Sequence, residues 1–174
     1  MDSEAVVEEV FSLYEKFGDA DYIGEAVTQR QHALCRGRSC LAEEESTPKQ
    51  IILGALLHDV GHLAGIREGG ARMITRGVVL GAVNHEVIGA EYLARLRFPP
   101  AVTAFVRRHV QAKRFLVATD AGYYERPLEH QGGPMTEEEA RSFAPRDPQF
   151  DAILRMRRWD EKAQGPRAEV TPSA

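Results

Sequence analysis

Residues 51 to 62 of this chain read Ile51-Ile52-Leu53-Gly54-Ala55-Leu56-Leu57-His58-Asp59-Val60-Gly61-His62. The aliphatic run leaves almost no polar face, which predicts a helix through the centre of the domain rather than along its surface. His58 and Asp59 then lie at the C-terminal end of that helix. Removing an imidazole and a carboxylate from water there is costly without a strong partner. The stretch therefore predicts a metal site at the end of a buried helix.

Length and composition favour one all-α domain. The 174 residues are 43% hydrophobic, enough to bury one sizeable core. We expect a helical bundle over residues 1–164 and a disordered C-terminal tail over residues 165–174, which contains Pro166 and Pro172. Neither a β-hairpin signal nor an internal repeat is recognised. The predicted fold class is therefore all-α.

Charge and hydropathy narrow the partners and the compartment. The net charge of -4 is spread over mixed charges without a dense basic block, so nucleic acid is not an expected partner. No apolar run approaches the roughly 20 residues needed to span a bilayer, and the acidic start of the chain is unlike a signal peptide. We expect a cytoplasmic protein with no membrane contact. Cys35 and Cys40 are then expected to be free thiols.

Capping signals predict the first helices. Apolar residues recur at helical spacing over residues 6–17 after a possible Ser3 cap. Thr28 and Gln31 form a predicted capping box for a second helix, which carries His32 within its first two turns. Pro48 opens the third helix, which contains the stretch quoted above.

Two segments are predicted to be irregular. Residues 18–27 combine glycines and acids without a helical stripe and are interpreted as an ordered loop that could close over a site. Residues 60–83 hold several glycines among charged and apolar residues. We expect that second segment to be a long irregular connection.

The later helices carry further histidines. Asn84 is a possible cap for a helix that includes His85, and the next helix carries His109 on its apolar side. Thr136 and Glu139 form a predicted capping box for a short helix. One side of a predicted last helix is defined by Phe150, Ile153, Leu154, Arg157 and Asp160.

Five of the six histidines fall on or beside apolar helical faces: His32, His58, His62, His85 and His109. A lone histidine in such a place is usually a satisfied core residue. Five together, with Asp59 and Asp160, offer enough nitrogen and oxygen donors for two transition-metal ions. Imidazole with carboxylate suits iron, manganese or zinc better than calcium.

The sequence resembles the metal-dependent HD-domain superfamily from about residue 22 to residue 160. The residues that carry the resemblance are His32, His58, Asp59, His85, His109 and Asp160. It implies a helical bundle around a dinuclear metal site. One ion would be held by His32, His58, Asp59 and Asp160. Asp59 would bridge to a second ion, which is also held by His85 and His109.

Four segments are similar to the mixed-valent di-iron oxygenases of the 2-amino-1-hydroxyethylphosphonate dioxygenase type, relatives of the larger myo-inositol oxygenase. The segments are residues 22–34, 57–62, 109–113 and 157–160. Such enzymes use dioxygen to split the carbon–phosphorus bond of a 1-hydroxyphosphonate, and the aminoethyl substrate gives glycine and phosphate. The resemblance implies a small organophosphonate substrate, two iron ions as Fe(II)/Fe(III), and O2 as co-substrate.

The same resemblance implies substrate contacts for Tyr22, Glu25, Gln31, His62, Lys113 and Arg157. Three of these, Tyr22, Glu25 and His62, are expected to be catalytic. Tyr22 would occupy the open iron position at rest, and Glu25 would receive the substrate's amino group. Lys113 and Arg157 supply the cations that a phosphonate dianion needs in a desolvated pocket. Gln31, taken alone, is explained by helix capping.

Other functions use many of the same residues. An HD phosphohydrolase would attack a phosphate ester with a hydroxide on the two metals. A degenerate HD fold would act only as a binding or regulatory module, but none of the six ligands is missing. Within the oxygenase reading, Glu25 could pair with a primary ammonium or with a trimethylammonium group, whose product would be glycine betaine.

Overall fold

The computed structural model is a helical bundle with one small antiparallel sheet, which confirms the all-α fold class. It describes residues 2–21, 27–43, 47–75, 78–123, 132–143 and 148–162. Within these ranges only the backbone is described for residues 39–43, 74–75, 78–80, 148–149 and 159–162. The predicted tail over residues 165–174 lies outside the described residues.

The elements follow one another along the described chain as α1 (Ser3–Phe17), α2 (Gln29–Glu43), α3 (Lys49–Leu57), α4 (Val60–Arg67), β1 (Arg72–Thr75), β2 (Val78–Ala82), α5 (His85–Arg95), α6 (Pro100–Thr119), α7 (Glu137–Phe143) and α8 (Pro148–Lys162). Within the described ranges, no helix is both long and apolar enough to cross a membrane. The histidines of the site described below lie on α2, α4, α5 and α6 and at the junction between α3 and α4.

Both predicted capping boxes are confirmed. The Thr28 amide donates to Gln31 Oε1 at 2.9 Å, and the Gln31 amide donates to Thr28 Oγ1 at 3.2 Å. The Thr136 amide likewise donates to Glu139 Oε2 at 2.8 Å, and Thr136 Oγ1 accepts from the Glu139 amide at 3.1 Å. These signals are local in sequence, and each one begins a helix where it was expected.

The predicted Ser3 cap is wrong, and Asn84 takes the predicted cap position of α5 without a side-chain hydrogen bond. Helix α1 is capped by Asp2, whose carboxylate accepts from the Ala5 amide at 2.8 Å, rather than by Ser3, which is the first helical residue. Asn84 precedes α5 with a left-handed φ of 56° and makes no side-chain cap in the described structure. Its carbonyl accepts the amides of Val87 and Ile88 instead.

The long irregular connection predicted over residues 60–83 is also wrong. It contains the helix α4 and a β-hairpin in which Arg72 pairs with Ala82 and Met73 pairs with Gly81. The register shifts between Met73 and Ile74, which marks a β-bulge, and Gly81 there has a φ of 112°. Short strands with a bulge lack the regular alternation that identifies a hairpin from sequence.

Helix α3 lies against α2 and α6, as expected for a central helix. Ala55 and Leu57 on α3 are buried, and so are Val60 and Leu63 on α4. The close approach of α3 to α6 needs a glycine, because a Cβ on Gly54 would lie 2.5 Å from the Phe105 ring. The helix ends at Leu57, so His58 and Asp59 stand at the junction between α3 and α4, as predicted.

The predicted loop over residues 18–27 is anchored at both ends. The amide of Gln29 donates to the carbonyl of Ala20 at 3.0 Å, and that of Arg30 donates to Gly18 at 2.9 Å. Asp21 and Thr28 form an isolated antiparallel bridge. The centre of this loop, residues 22–26, lies outside the described residues and includes the predicted site residues Tyr22 and Glu25.

Candidate metal centre

Donor atoms from several helices converge inside the bundle: His32 on α2, His58 after α3, Asp59 before α4, His85 at the start of α5, and His109 on α6. The four histidines are buried, with at most 3% of each residue exposed, and the Asp59 side chain is 13% exposed. Residues far apart in sequence thus form one cluster that excludes most water.

One oxygen of Asp59 faces the first pair of histidines. Asp59 Oδ2 lies 3.0 Å from His58 Nε2 and 3.5 Å from His32 Nε2. The two ring nitrogens are 3.4 Å apart. These three atoms form the first donor group.

The other oxygen of Asp59 faces the second pair. Asp59 Oδ1 lies 3.3 Å from His109 Nε2 and 3.5 Å from His85 Nε2, and these two nitrogens are 3.1 Å apart. Donors bound at right angles about 2.1 Å from one ion would be about 3 Å apart, so the spacing suits metal ligation in both groups. Asp59 belongs to both groups, and it is the residue for which the family resemblance implies a bridging role.

The backbone fixes which ring nitrogens carry lone pairs. The carbonyl of Ala55 accepts from His58 Nδ1 at 2.8 Å, and that of Val106 accepts from His109 Nδ1 at 2.7 Å. With the proton on Nδ1, each neutral ring turns an unprotonated Nε2 toward a carboxylate oxygen of Asp59. Two lone pairs facing each other inside a buried cluster repel unless a cation lies between them. The residues present therefore fit a metal ion in each group, and the carbonyls would orient the ligating rings.

Burial keeps the cluster ready to bind cations. Burial lowers the pKa of His85 and of His109, so both rings are neutral at pH 7. Burial alone would raise the pKa of Asp59, but the positive charge and hydrogen bonds that His58 and His109 offer when protonated hold it well below its usual range. A neutral imidazole and an ionised carboxylate are the forms that ligate metals.

His62 lies beside the second group in a different role. Its ring stacks on His85 with centroids 3.9 Å apart, and its Nε2 is 4.0 Å from Asp59 Oδ1. The amide of Ala82 donates to His62 Nδ1 at 3.0 Å. An amide can only donate, so this nitrogen is unprotonated and the proton of the neutral ring lies on Nε2. His62 therefore presents an N–H donor to the site.

The other predicted site residues are placed as follows. Gln31 is exposed, and its side chain forms the capping box of α2. Lys113 is half-buried one turn after His109 on α6. Arg157 on α8 is buried. Its charge lowers the pKa of His109, although burial, Asp59 and His58 have larger effects on that pKa. Asp160 falls within α8, but its side chain lies outside the described structure, so its ligand role stays a prediction.

Sequence reasoning missed two contributors to this site. The Ala82 amide contacts His62, and the signal that could have found it is Gly81, since a lone glycine in a short apolar run marks a bulge or a close backbone approach. Tyr14 on α1 donates to the Leu56 carbonyl at 3.4 Å. Burial, followed by the charge of Asp59, raises its pKa.

Comparison with known proteins identifies the family. The HD domain family matches residues 26–164. A protein of Acanthamoeba polyphaga mimivirus is 36% identical over 91% of this chain and 72% of its own length. A 1-hydroxy-2-(trimethylamino)ethylphosphonate dioxygenase (glycine-betaine-forming) of Leisingera caerulea is 38% identical over 95% of this chain and 82% of its own. A hydroxymethylphosphonate dioxygenase of Gimesia maris is 35% identical over 90% of this chain and 79% of its own length. The chain therefore belongs to the HD domain family, in a group that includes phosphonate dioxygenases.

Proposed function

We propose that this protein is a dioxygenase that cleaves the carbon–phosphorus bond of a 1-hydroxyphosphonate. The observation that carries the proposal is the position of Asp59, whose two oxygens face two different histidine pairs. This arrangement occurs in a chain that is 38% identical to a phosphonate dioxygenase over 95% of its length. The substrate is a small organophosphonate, and O2 is the co-substrate.

Iron is the metal that we assign to both donor groups, as an Fe(II)/Fe(III) pair. Imidazole and carboxylate donors suit it, and a bound iron pair would supply the redox chemistry with dioxygen. Asp160 would complete the ligands of the ion at His32 and His58. His85, His109 and Asp59 give the second ion three donors, so it would retain positions for a chelating substrate.

In the proposed reaction one substrate and one O2 give one carboxylate and one phosphate. The carbon–phosphorus bond breaks, the carbon that bears the hydroxyl becomes the carboxylate carbon, and phosphorus leaves as phosphate. Lys113 and Arg157 would neutralise the phosphonate, and the N–H of His62 would donate to one of its oxygens. The protein thereby binds and orients the substrate and excludes water from the site.

We assign 2-amino-1-hydroxyethylphosphonate as the substrate, with glycine as the product. Glu25 would pair with its ammonium group, and Tyr22 would hold the open metal position until substrate arrives. The trimethylammonio analogue, which would give glycine betaine, is the alternative. The two named dioxygenase relatives differ at this nitrogen end, since one acts on a trimethylamino compound and the other on hydroxymethylphosphonate.

A side-by-side assay tests the substrate. Iron-loaded protein is incubated with the amino, the trimethylamino and the unsubstituted hydroxymethyl phosphonates, and O2 uptake, phosphate and the organic acid are measured. We expect O2 and phosphate in a 1:1 ratio and the highest kcat/KM for the amino compound. A preference for the trimethylamino compound would select the glycine-betaine alternative.

The same assay without O2 separates the oxygenase from a metal-dependent phosphohydrolase. Both use a dinuclear centre, but hydrolysis needs only water. Phosphate release that continues anaerobically would overturn the oxygenase proposal. In partly oxidised protein, an electron paramagnetic resonance signal of a coupled Fe(II)/Fe(III) pair should change when substrate binds.

A degenerate binding module is disfavoured, because five of the six predicted ligands are described and converge in two donor groups. Protein unable to take up metal would restore that alternative. We further propose that the catalytic domain spans residues 1–164 and that the protein is cytoplasmic.

A further inference from the structure

We infer that the β1–β2 hairpin is a positioning element of the active site, in which Gly81 and the amide of Ala82 hold His62 as a hydrogen-bond donor to an anionic oxygen of the substrate. This inference rests on the proposed function for the identity of the acceptor. The orientation of His62 is argued from the hairpin alone.

Gly81 makes the contact possible in two ways. Its φ of 112° is a conformation that residues with a Cβ rarely adopt. A Cβ at this position would also collide with the His62 ring, since it would lie against Nδ1 and 2.6 Å from Cε1. Only glycine lets the strand backbone lie flat against the imidazole, and the bulge between Met73 and Ile74 shapes the strand pair there.

The next residue then fixes the proton. The amide of Ala82 donates to His62 Nδ1 at 3.0 Å, in a buried contact between residues 20 apart in sequence. His62 differs in this from His58 and His109, whose Nδ1 atoms face backbone carbonyls. A carbonyl favours the tautomer with a free Nε2 lone pair, which binds metals. An amide favours the tautomer with an Nε2 proton, which donates to anions.

The surroundings limit what the Nε2 proton can meet. His62 is 6% exposed, and its ring is held against His85 at 3.9 Å between centroids. Its Nε2 is 4.0 Å from Asp59 Oδ1, the carboxylate oxygen of the second donor group, which is too far for a hydrogen bond. An oxygen of a chelating substrate bound at the second donor group would lie within reach of this N–H.

Nitrogen NMR tests the tautomer without substrate or turnover. In zinc-loaded full-length protein labelled with ¹⁵N-histidine, the His62 signal is assigned by its loss in His62→Gln. We expect His62 to be protonated on Nε2 and unprotonated on Nδ1. A proton on Nδ1, or an Nε2 bound to metal, would overturn the inference even if Gly81 variants fail to fold.

Kinetics then tests the hairpin. Gly81→Ala should raise KM for the phosphonate at least tenfold, keep both metal ions, and shift the His62 tautomer. The matched control is Gly69→Ala, which also has a positive φ of 67° but no described atom within 4 Å of the added Cβ. It should leave KM and tautomer unchanged.

The double variant Gly81→Ala with His62→Ala should be no worse than His62→Ala alone, because Gly81 acts through that ring. Additive losses, or an unaltered KM in Gly81→Ala, would contradict the positioning role. If the wild-type protein shows the expected tautomer but turns over no phosphonate, the proposed function fails while the orientation of His62 stands.

Discussion

A Cβ atom on Gly61 would lie 2.7 Å from the backbone nitrogen of Gly89, and still closer to the carbonyl oxygen of His85. Helices α4 and α5 therefore touch backbone to backbone beside the second donor group. That approach brings Asp59, two residues before Gly61, within 3.5 Å of His85 Nε2. The two helices can lie this close because Gly61 has no side chain.

Gly61→Ala is expected to force α4 away from α5 and to weaken the second donor group. Overpacking of this kind costs about 1–3 kcal/mol of stability. We also expect metal content to fall from two ions to one. Urea unfolding and plasma mass spectrometry measure the two effects. Gly122→Ala is the control, because its Cβ would meet only the Asp120 carboxylate at 3.4 Å, and two ions should remain.

Removing single ligands should separate the two ions. His85→Ala is expected to retain one ion, held at His32 and His58, because the donor groups share only Asp59. Asp59→Ala should reduce the binding of both ions. His62→Ala should keep both, since its Nε2 carries a proton. Metal stoichiometry after desalting measures these outcomes, and loss of an ion in His62→Ala would make His62 a ligand.

The metal-free protein should lose stability as pH falls from about 6.5 to 4. Burial lowers the pKa of His62 to about 4, against about 6.5 in an unfolded chain. Above pH 6.5 the His62 ring is neutral in both states and does not affect stability. As pH falls toward 4 the unfolded state binds more protons than the folded state, so the free energy of unfolding decreases. Protonation of His62 alone should lower the free energy of unfolding by about 3 kcal/mol over this pH range.

Urea unfolding of chelator-treated protein at pH 7, 6 and 5 measures this slope. His85 and His109 shift in the same direction and should steepen it. His62→Gln, which removes one titrating group, should flatten the slope. Equal unfolding free energies at pH 7 and pH 5 would contradict the prediction.

A polar contact joins the three helices α1, α4 and α5. Glu9 Oε1 accepts from Arg67 at 2.7 Å and from the Tyr92 hydroxyl at 3.3 Å. Glu9→Gln should cost about 1 kcal/mol, because the pair is only a third exposed and has two donors on one oxygen. Glu68→Gln breaks the more exposed pair with Arg95 and should change stability by less than about 0.5 kcal/mol.

The sequence predicted the features that short segments determine. The capping boxes at Thr28 and Thr136 depend on residues three apart, and both were confirmed. The end of the central helix at His58 and Asp59 followed from an abrupt change in polarity. The site follows from the same reasoning, because metal-competent residues in apolar surroundings need a common partner.

Features that depend on contacts between distant segments were not predictable in the same way. The role of His62 is fixed by an amide 20 residues away, and the hairpin that supplies it was interpreted as an irregular connection. Asn84 looked like a side-chain cap, but the turn that leads into α5 uses its left-handed backbone and its carbonyl instead. The packed structure decides between such local alternatives.

Each carboxylate oxygen of Asp59 faces a different histidine pair, and the two pairs come from different parts of the bundle. His32 lies on α2 and His58 directly follows α3, which packs against α2. His85 and His109 lie on α5 and α6, which also pack against each other. Because α3 also packs against α6, the two helix pairs are held together in one bundle. Asp59, between α3 and α4, is the donor that both histidine pairs share.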